Sequence, residues 1–169
     1  MDITLYWKYL KHDIDQWTWR LAEAWKDEGV HRAEAQSDDS EADVNFTRRK
    51  TSEAVAALRV LLSERLEDSE AASADDVLDT EREEWSFPLK ESNRAKAAPE
   101  LADLIHRYVV WYVVWKWCLI YFPDRAKAFG DELLLLRASI EEAAYKRDMP
   151  KKFKRKPKRD ADEISVEVE

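Results

Sequence analysis

The stretch Pro99–Phe122 (PELADLIHRYVVWYVVWKWCLIYF) constrains this chain more than any other. It reads as one long helix, with Pro99 suited to the first turn and Glu100 near the positive end of the helix dipole. At 100° per residue, Leu101, Leu104, Ile105, Tyr108, Tyr112, Trp115 and Leu119 share one side. Val110, Val113, Val114, Trp117 and Tyr121 occupy the opposite side. Before Tyr108 that opposite side is polar, with Asp103, His106 and Arg107. The spacing therefore predicts a surface amino-terminal half and an enclosed carboxyl-terminal half. A helix apolar on nearly every side has to be covered from more than one direction. A membrane span is the poorer explanation. It needs roughly 20 apolar residues, whereas the run Tyr108–Phe122 is broken by Lys116 and followed at once by Pro123 and Asp124.

The elements available to cover this helix are themselves helical. Only two glycines occur in 169 residues, with 45% apolar and 38% charged residues. That balance favours long helices with few tight turns. A first helix is expected from Ile3 to Lys26, with Ile3, Tyr6, Leu10, Ile14, Trp17, Leu21 and Trp25 on its core face. Leu5, Tyr9 and Trp19 fall on another side, under a second helix of the chain or in a subunit contact. Val30 to Asn45 is polar and acidic and reads as a long loop or a frayed extension of the first helix. A calcium loop there lacks the mid-loop glycine and the spaced acids. A second, shorter helix is expected from Thr51 to Glu67, capped by Thr51 or Ser52, with Val55, Leu58, Leu61, Leu62 and Leu66 as its stripe.

Trp85 to Leu89 alternates apolar and polar residues. It reads as a short extended segment whose Trp85, Phe87 and Leu89 anchor a loop, while Pro88 argues against a central strand. A last helix, Asp124 to Lys146, carries Ala126, Phe129, Leu133, Leu136, Ile140 and Ala144 on one stripe, and Leu135 points away from it. Almost no loop separates it from the central helix, so the two form an αα-hairpin of antiparallel neighbours. The fold class is thus all-α: a bundle of three long helices and one shorter one over residues 1–148, followed by a tail over 149–169.

The tail changes character. Net charge is -8 overall, but residues 151–169 hold seven Lys/Arg against five Asp/Glu, so residues 1–150 carry -10. The body is therefore no general nucleic-acid binder. The basic run Lys151, Lys152, Lys154, Arg155, Lys156, Lys158 and Arg159 has three readings: a solvated terminus, a contact to an acidic partner surface, or a sequence-independent phosphate contact. Beyond it, Ile164, Val166 and Val168 alternate with mostly acidic residues. This reads as a disordered end, or as a strand added to a neighbouring subunit, since the body is expected to hold no sheet.

Enzyme signatures are missing. The glycines Gly29 and Gly130 cannot make a phosphate loop, and no H-E-x-x-H, C-x-x-C or G-x-S-x-G occurs. Cys118 is the single cysteine, which rules out an internal disulfide and fits a reducing compartment. Met1 to Leu10 lacks the basic start and apolar core of a secretion signal. A di-metal site could draw on the spacings Asp103–His106 and Glu28–His31. The first pair lies on a polar helix side and the second straddles Gly29, so both histidines read as surface groups. No cofactor and no metal is expected.

The segment from Leu101 to Arg147 resembles the carboxyl-terminal hairpin of the small helical head–tail connector (adaptor) proteins of tailed bacteriophages and prophages. Leu101, Leu104, Ile105, Tyr108 and Val109 match the first helix of that hairpin, and Ala126, Phe129, Leu133 and Leu136 the second. The resemblance covers roughly residues 99–147. It implies a non-enzymatic, ring-forming protein docked below a portal, in the cytoplasm or the virion, with its tail reaching into neighbours. Leu5, Tyr9, Trp19, Val110, Val114, Trp117, Tyr121 and Leu135 are the expected subunit contacts. A nucleic-acid-associated accessory protein of a mobile element, acting through the basic tail, is the alternative, and a di-metal enzyme the lesser one.

Overall fold

The computed structural model describes residues 2–25, 41–67, 79, 81–90 and 98–145, and its first element is a strand where the periodicity predicts a helix. Strand β1 (Asp2–Tyr6) pairs antiparallel with β2 (Glu84–Pro88), with Ile3 opposite Phe87 and Leu5 opposite Trp85. All four of these side chains are buried, and Thr4 and Ser86 sit between them with their backbones paired. Period two, rather than 3.6, puts Leu5 on the core face, so Leu5 is not a subunit contact. The same parity turns Tyr6 outward, against the expected core stripe. The ribbon also corrects the expectation of a body without a sheet.

Helix α1 (Trp7–Ala24) follows without a loop, and the Trp7 N–H donates to the Glu83 carbonyl at 2.8 Å, continuing the ribbon into the first turn. Leu10, Ile14, Thr18 and Ala22 face inward. Thr18 stays satisfied there because its hydroxyl donates to the Ile14 carbonyl at 3.0 Å.

Helix α2 (Glu41–Leu61) begins ten residues before the expected start at Thr51. Glu41 and Asp43 in its first turn favour the dipole. Thr51 is therefore a mid-helix residue, not a cap: its hydroxyl bonds the Thr47 carbonyl at 2.9 Å. Ser52 likewise turns inward and accepts a bond from the Trp85 indole N–H at 3.1 Å. The helix stops at Leu61, and a 3-10 turn over Ser63–Arg65 leads to Leu66, which bridges Leu89. Arg59 reaches the Ser86 carbonyl at 2.7 Å and lies over the Phe87 ring, fastening β2 to α2. Trp85, Phe87 and Leu89 are all buried, as their alternation predicts.

The central helix α3 (Ala98–Tyr121) packs against α1, α2 and β1 and against the last helix, α4 (Ala126–Tyr145). Phe122 to Arg125 form the turn between them, with the Arg125 N–H on the Phe122 carbonyl at 3.0 Å. The αα-hairpin is thus present, and its far end is tied down where the Tyr145 hydroxyl donates to the Leu61 carbonyl at 3.1 Å. Cover from three helices and a strand explains why Val109, Val110, Val113, Val114, Trp117 and Cys118 are all buried within one copy. Val110, Val114 and Trp117 are therefore core, not subunit contacts. Before Tyr108 the side opposite Leu101 and Ile105 is polar as expected, with Asp103 and Arg107 exposed, but the expected enclosed carboxyl-terminal half needs correction, because Leu119 and Ile120, in the last turn, are exposed.

Candidate interaction surface

The eight tryptophans and their aromatic neighbours divide into an inner seam and a few outward rings. Along the seam Trp17 contacts Trp111 (4.8 Å between centroids), Trp111 contacts Phe129 (5.3 Å), and Trp25 contacts Phe122 (4.9 Å). This seam clamps α1 onto the hairpin, and such ring pairs add about 0.5–1.5 kcal/mol each beyond burial. Arg20 and Arg125 lie over Trp17 and Trp25 and cover the outer ring faces. Trp17 is correspondingly at the edge of the core rather than inside it. Trp117 packs on Tyr121 (5.4 Å) and Phe122 (5.5 Å), so Tyr121 is half-buried against its own chain.

A second ladder runs along α3, with Tyr108 stacked on Tyr112 and Tyr112 edge-on to Trp115. Lys116 lies over both Tyr112 and Trp115, which explains how a lysine is kept in this apolar run. Burial, then the Glu53 carboxylate, pushes the Tyr112 hydroxyl up to about 12, so it stays a neutral hydrogen-bond donor. Trp115 lies over Gly130 of α4, where a methyl group would meet its indole nitrogen at 3.5 Å.

Among the described residues the large apolar side chains left exposed are both aliphatic and aromatic. On α4, Ala126, Leu133, Leu136 and Ile140 are buried, and at 100° per residue this stripe leaves the Leu134–Leu135 pair facing away. Their relative exposures are 66% and 65%, so both side chains are mostly open to solvent. Leu119 and Ile120 at the end of α3 and Val60 on α2 are also exposed. Of the expected contacts, Leu135, Tyr9 (56%) and Trp19 (42%) are the ones found on the surface. Tyr9 meets Tyr6 edge-on at 6.2 Å under Lys8, making a small aromatic spot at the start of α1. Sequence reasoning missed Leu134, Ile120 and Val60 and assigned Leu119 to an inner stripe. For Leu134 the signal was present, since it sits 100° off Leu133.

The polar candidates resolve into local pairs. The His106 Nε2 lies 2.7 Å from the Asp13 carboxylate, joining α3 to α1, and Arg107 lies 3.9 Å from Asp103. His12 bonds Gln16 at 2.9 Å. Glu28 and His31 lie outside the described residues, as do the basic run 151–159 and the strand-addition residues Ile164, Val166 and Val168. Among the described residues no group of three His, Cys, Asp or Glu is placed to hold a metal ion. No described helix is long and apolar enough to cross a membrane.

Cys118 is buried, and desolvation pushes its thiol up to about 12. Since the thiolate is the reactive form, a thiol reagent at neutral pH is expected to label the native chain orders of magnitude more slowly than the denatured chain. Equal rates would place Cys118 at the surface and overturn the packing of α3.

Among the described residues the architecture is mostly helical, with one two-stranded ribbon. Compared with protein-family models, with curated proteins and with solved structures, the chain matches none of them.

Proposed function

We propose that the chain is a non-enzymatic, self-associating helical adaptor of the head–tail connector kind, acting on a portal or on neighbouring virion proteins. The observation that carries this reading is the exposure of Leu119 and Ile120 on α3 and of Leu134 and Leu135 on α4. Single exposed apolar residues need no explanation. Four on one hairpin, in two pairs of sequence neighbours, are more than such scattered residues and are what a contact surface would use. The likeness of residues 99–147 to connector hairpins supplies the class of partner. The two arms of the reading are separable, because self-association is a property of the purified chain and connector identity is a property of the particle.

The connector arm is tested on tailed particles made by the element that encodes the chain. Peptide mass spectrometry of purified particles should find it at a fixed, low copy number relative to the capsid protein. Particles that are complete and infective without it would contradict the assignment.

A further inference from the structure

We propose that residues 163–169 of the chain's own tail, outside the described residues, add a third strand to the ribbon along the outer edge of β1. The contact needs no second copy, so it stands apart from the self-association proposed above. Its first support is that the two edges of the ribbon differ. In an antiparallel ladder, alternate residues turn their N–H and C=O groups away from the partner strand. The Trp7 N–H on the Glu83 carbonyl fixes the phase, so the outward groups are those of Asp2, Thr4 and Tyr6 in β1 and of Glu84, Ser86 and Pro88 in β2. The β2 edge is occupied. Its Ser86 carbonyl accepts from Arg59 at 2.7 Å, and its Pro88 carbonyl from the Glu67 N–H at 2.8 Å. On the β1 edge, the carbonyl of the N-cap residue Tyr6 belongs to α1. Among the described residues, both backbone groups of Thr4 and the Tyr6 N–H have no hydrogen-bond partner. An edge left open in this way is a template for one more strand.

The second support is the pattern and reach of the tail. Ile164, Val166 and Val168 alternate with Glu163, Ser165, Glu167 and Glu169, the period of a strand with one buried side. β1 has the same alternation, with Ile3 and Leu5 buried between the less buried Asp2, Thr4 and Tyr6. The tail also leaves the body near the Asp2 end of the ribbon. Tyr145 lies under Arg65, the Arg65 carbonyl accepts from the Lys90 N–H, and Pro88 stands opposite Asp2. Residues 146–162 can span up to about 60 Å, more than the roughly 40 Å width of a folded domain of this size. A tethered segment therefore meets the edge at an effective concentration that a second copy in dilute solution does not match. Charge then selects the register. Two neighbouring apolar residues can lie beside Ile3 and Leu5 in either of two ways and in either direction. Every such register but one sets Glu163, Glu167 or Glu169 beside Asp2, where like charges oppose pairing. The remaining one runs parallel to β1, with Ser165 beside Asp2, Glu167 beside Thr4, and Val166 and Val168 beside Ile3 and Leu5. The Thr4 N–H then donates to the Val166 carbonyl, and the Thr4 carbonyl accepts from the Val168 N–H. Glu169 comes beside Tyr6, next to the exposed Lys8.

Residue-resolved amide hydrogen exchange of the full chain tests this. The Thr4 and Tyr6 amides should exchange at least about a hundredfold more slowly than in the urea-unfolded chain. Val166→Asp together with Val168→Asp should speed both by at least about tenfold. The Ile3, Leu5 and Trp7 amides, which face β2, should be unchanged. Thr4 and Tyr6 amides that exchange at the unprotected rate, or that ignore the tail substitutions, overturn the proposal. A second variant does not depend on exchange rates. Thr4→Cys with Glu167→Cys, oxidised in dilute solution, should close a disulfide within one chain of 19.9 kDa, whereas Thr4→Cys with Val166→Cys, facing the other side, should not. Cys118 is buried and does not compete. A disulfide formed only between copies would give the edge to a neighbour's tail and overturn the same-chain pairing. A chain that never self-associates can still give the expected result, so this proposal and the adaptor reading fail separately.

Discussion

Trp85→Ala is expected to lower the unfolding free energy by about 3–5 kcal/mol, the range for emptying a buried aromatic site. The ring is 1% exposed, opposite Leu5 on β1, and 6.3 Å from Trp7 at the start of α1. Its indole N–H is the donor to the Ser52 hydroxyl inside α2. Alanine would therefore open a cavity among three elements and remove a buried polar pairing, which adds to the loss. For a domain whose total stability is typically about 5–15 kcal/mol, this is a large share. Urea denaturation followed by circular dichroism reads the effect. A loss below about 1 kcal/mol would mean that the ribbon hangs outside the core rather than pinning α1 to α2.

The second large effect separates the inside of the hairpin from its outside. Val114→Asp should destabilise the chain by more than about 4 kcal/mol, since a carboxylate would be buried without a partner. Val114 is fully buried in the single copy. Ile120→Asp, six residues on in the same helix, should change stability by no more than about 0.5 kcal/mol because the side chain already faces solvent. The two melts decide the matter directly. If Ile120→Asp unfolds the chain as Val114→Asp does, the end of α3 is covered within one copy and is no contact surface.

The hairpin was legible in the sequence because a dense apolar stripe on Ala126, Phe129, Leu133, Leu136 and Ile140 follows Pro123 almost at once. The extended segment at Trp85–Leu89 was legible from its strict alternation. β1 was not, since Ile3, Tyr6 and Leu10 fit a helical period as well as Ile3 and Leu5 fit a strand. Nothing local decides between them; the partner strand about eighty residues away does. The contact residues were only partly legible for a related reason. Val110, Val114 and Trp117 look surplus when one helix covers α3, and become core when α1, α2 and α4 all do. Periodicity also assigns Leu119 to a side of the helix without saying whether a neighbour extends far enough to cover it. Leu135 could be placed because it departs from a stripe on its own helix.

Sedimentation of the full chain across a wide concentration range bears most directly on the uncovered hairpin surface. The weight-average mass should climb from 19.9 kDa to at least twice that as concentration rises, and Leu134→Asp with Leu135→Asp should hold it near the monomer. A mass fixed at 19.9 kDa at every concentration would contradict self-association, and with it the adaptor role.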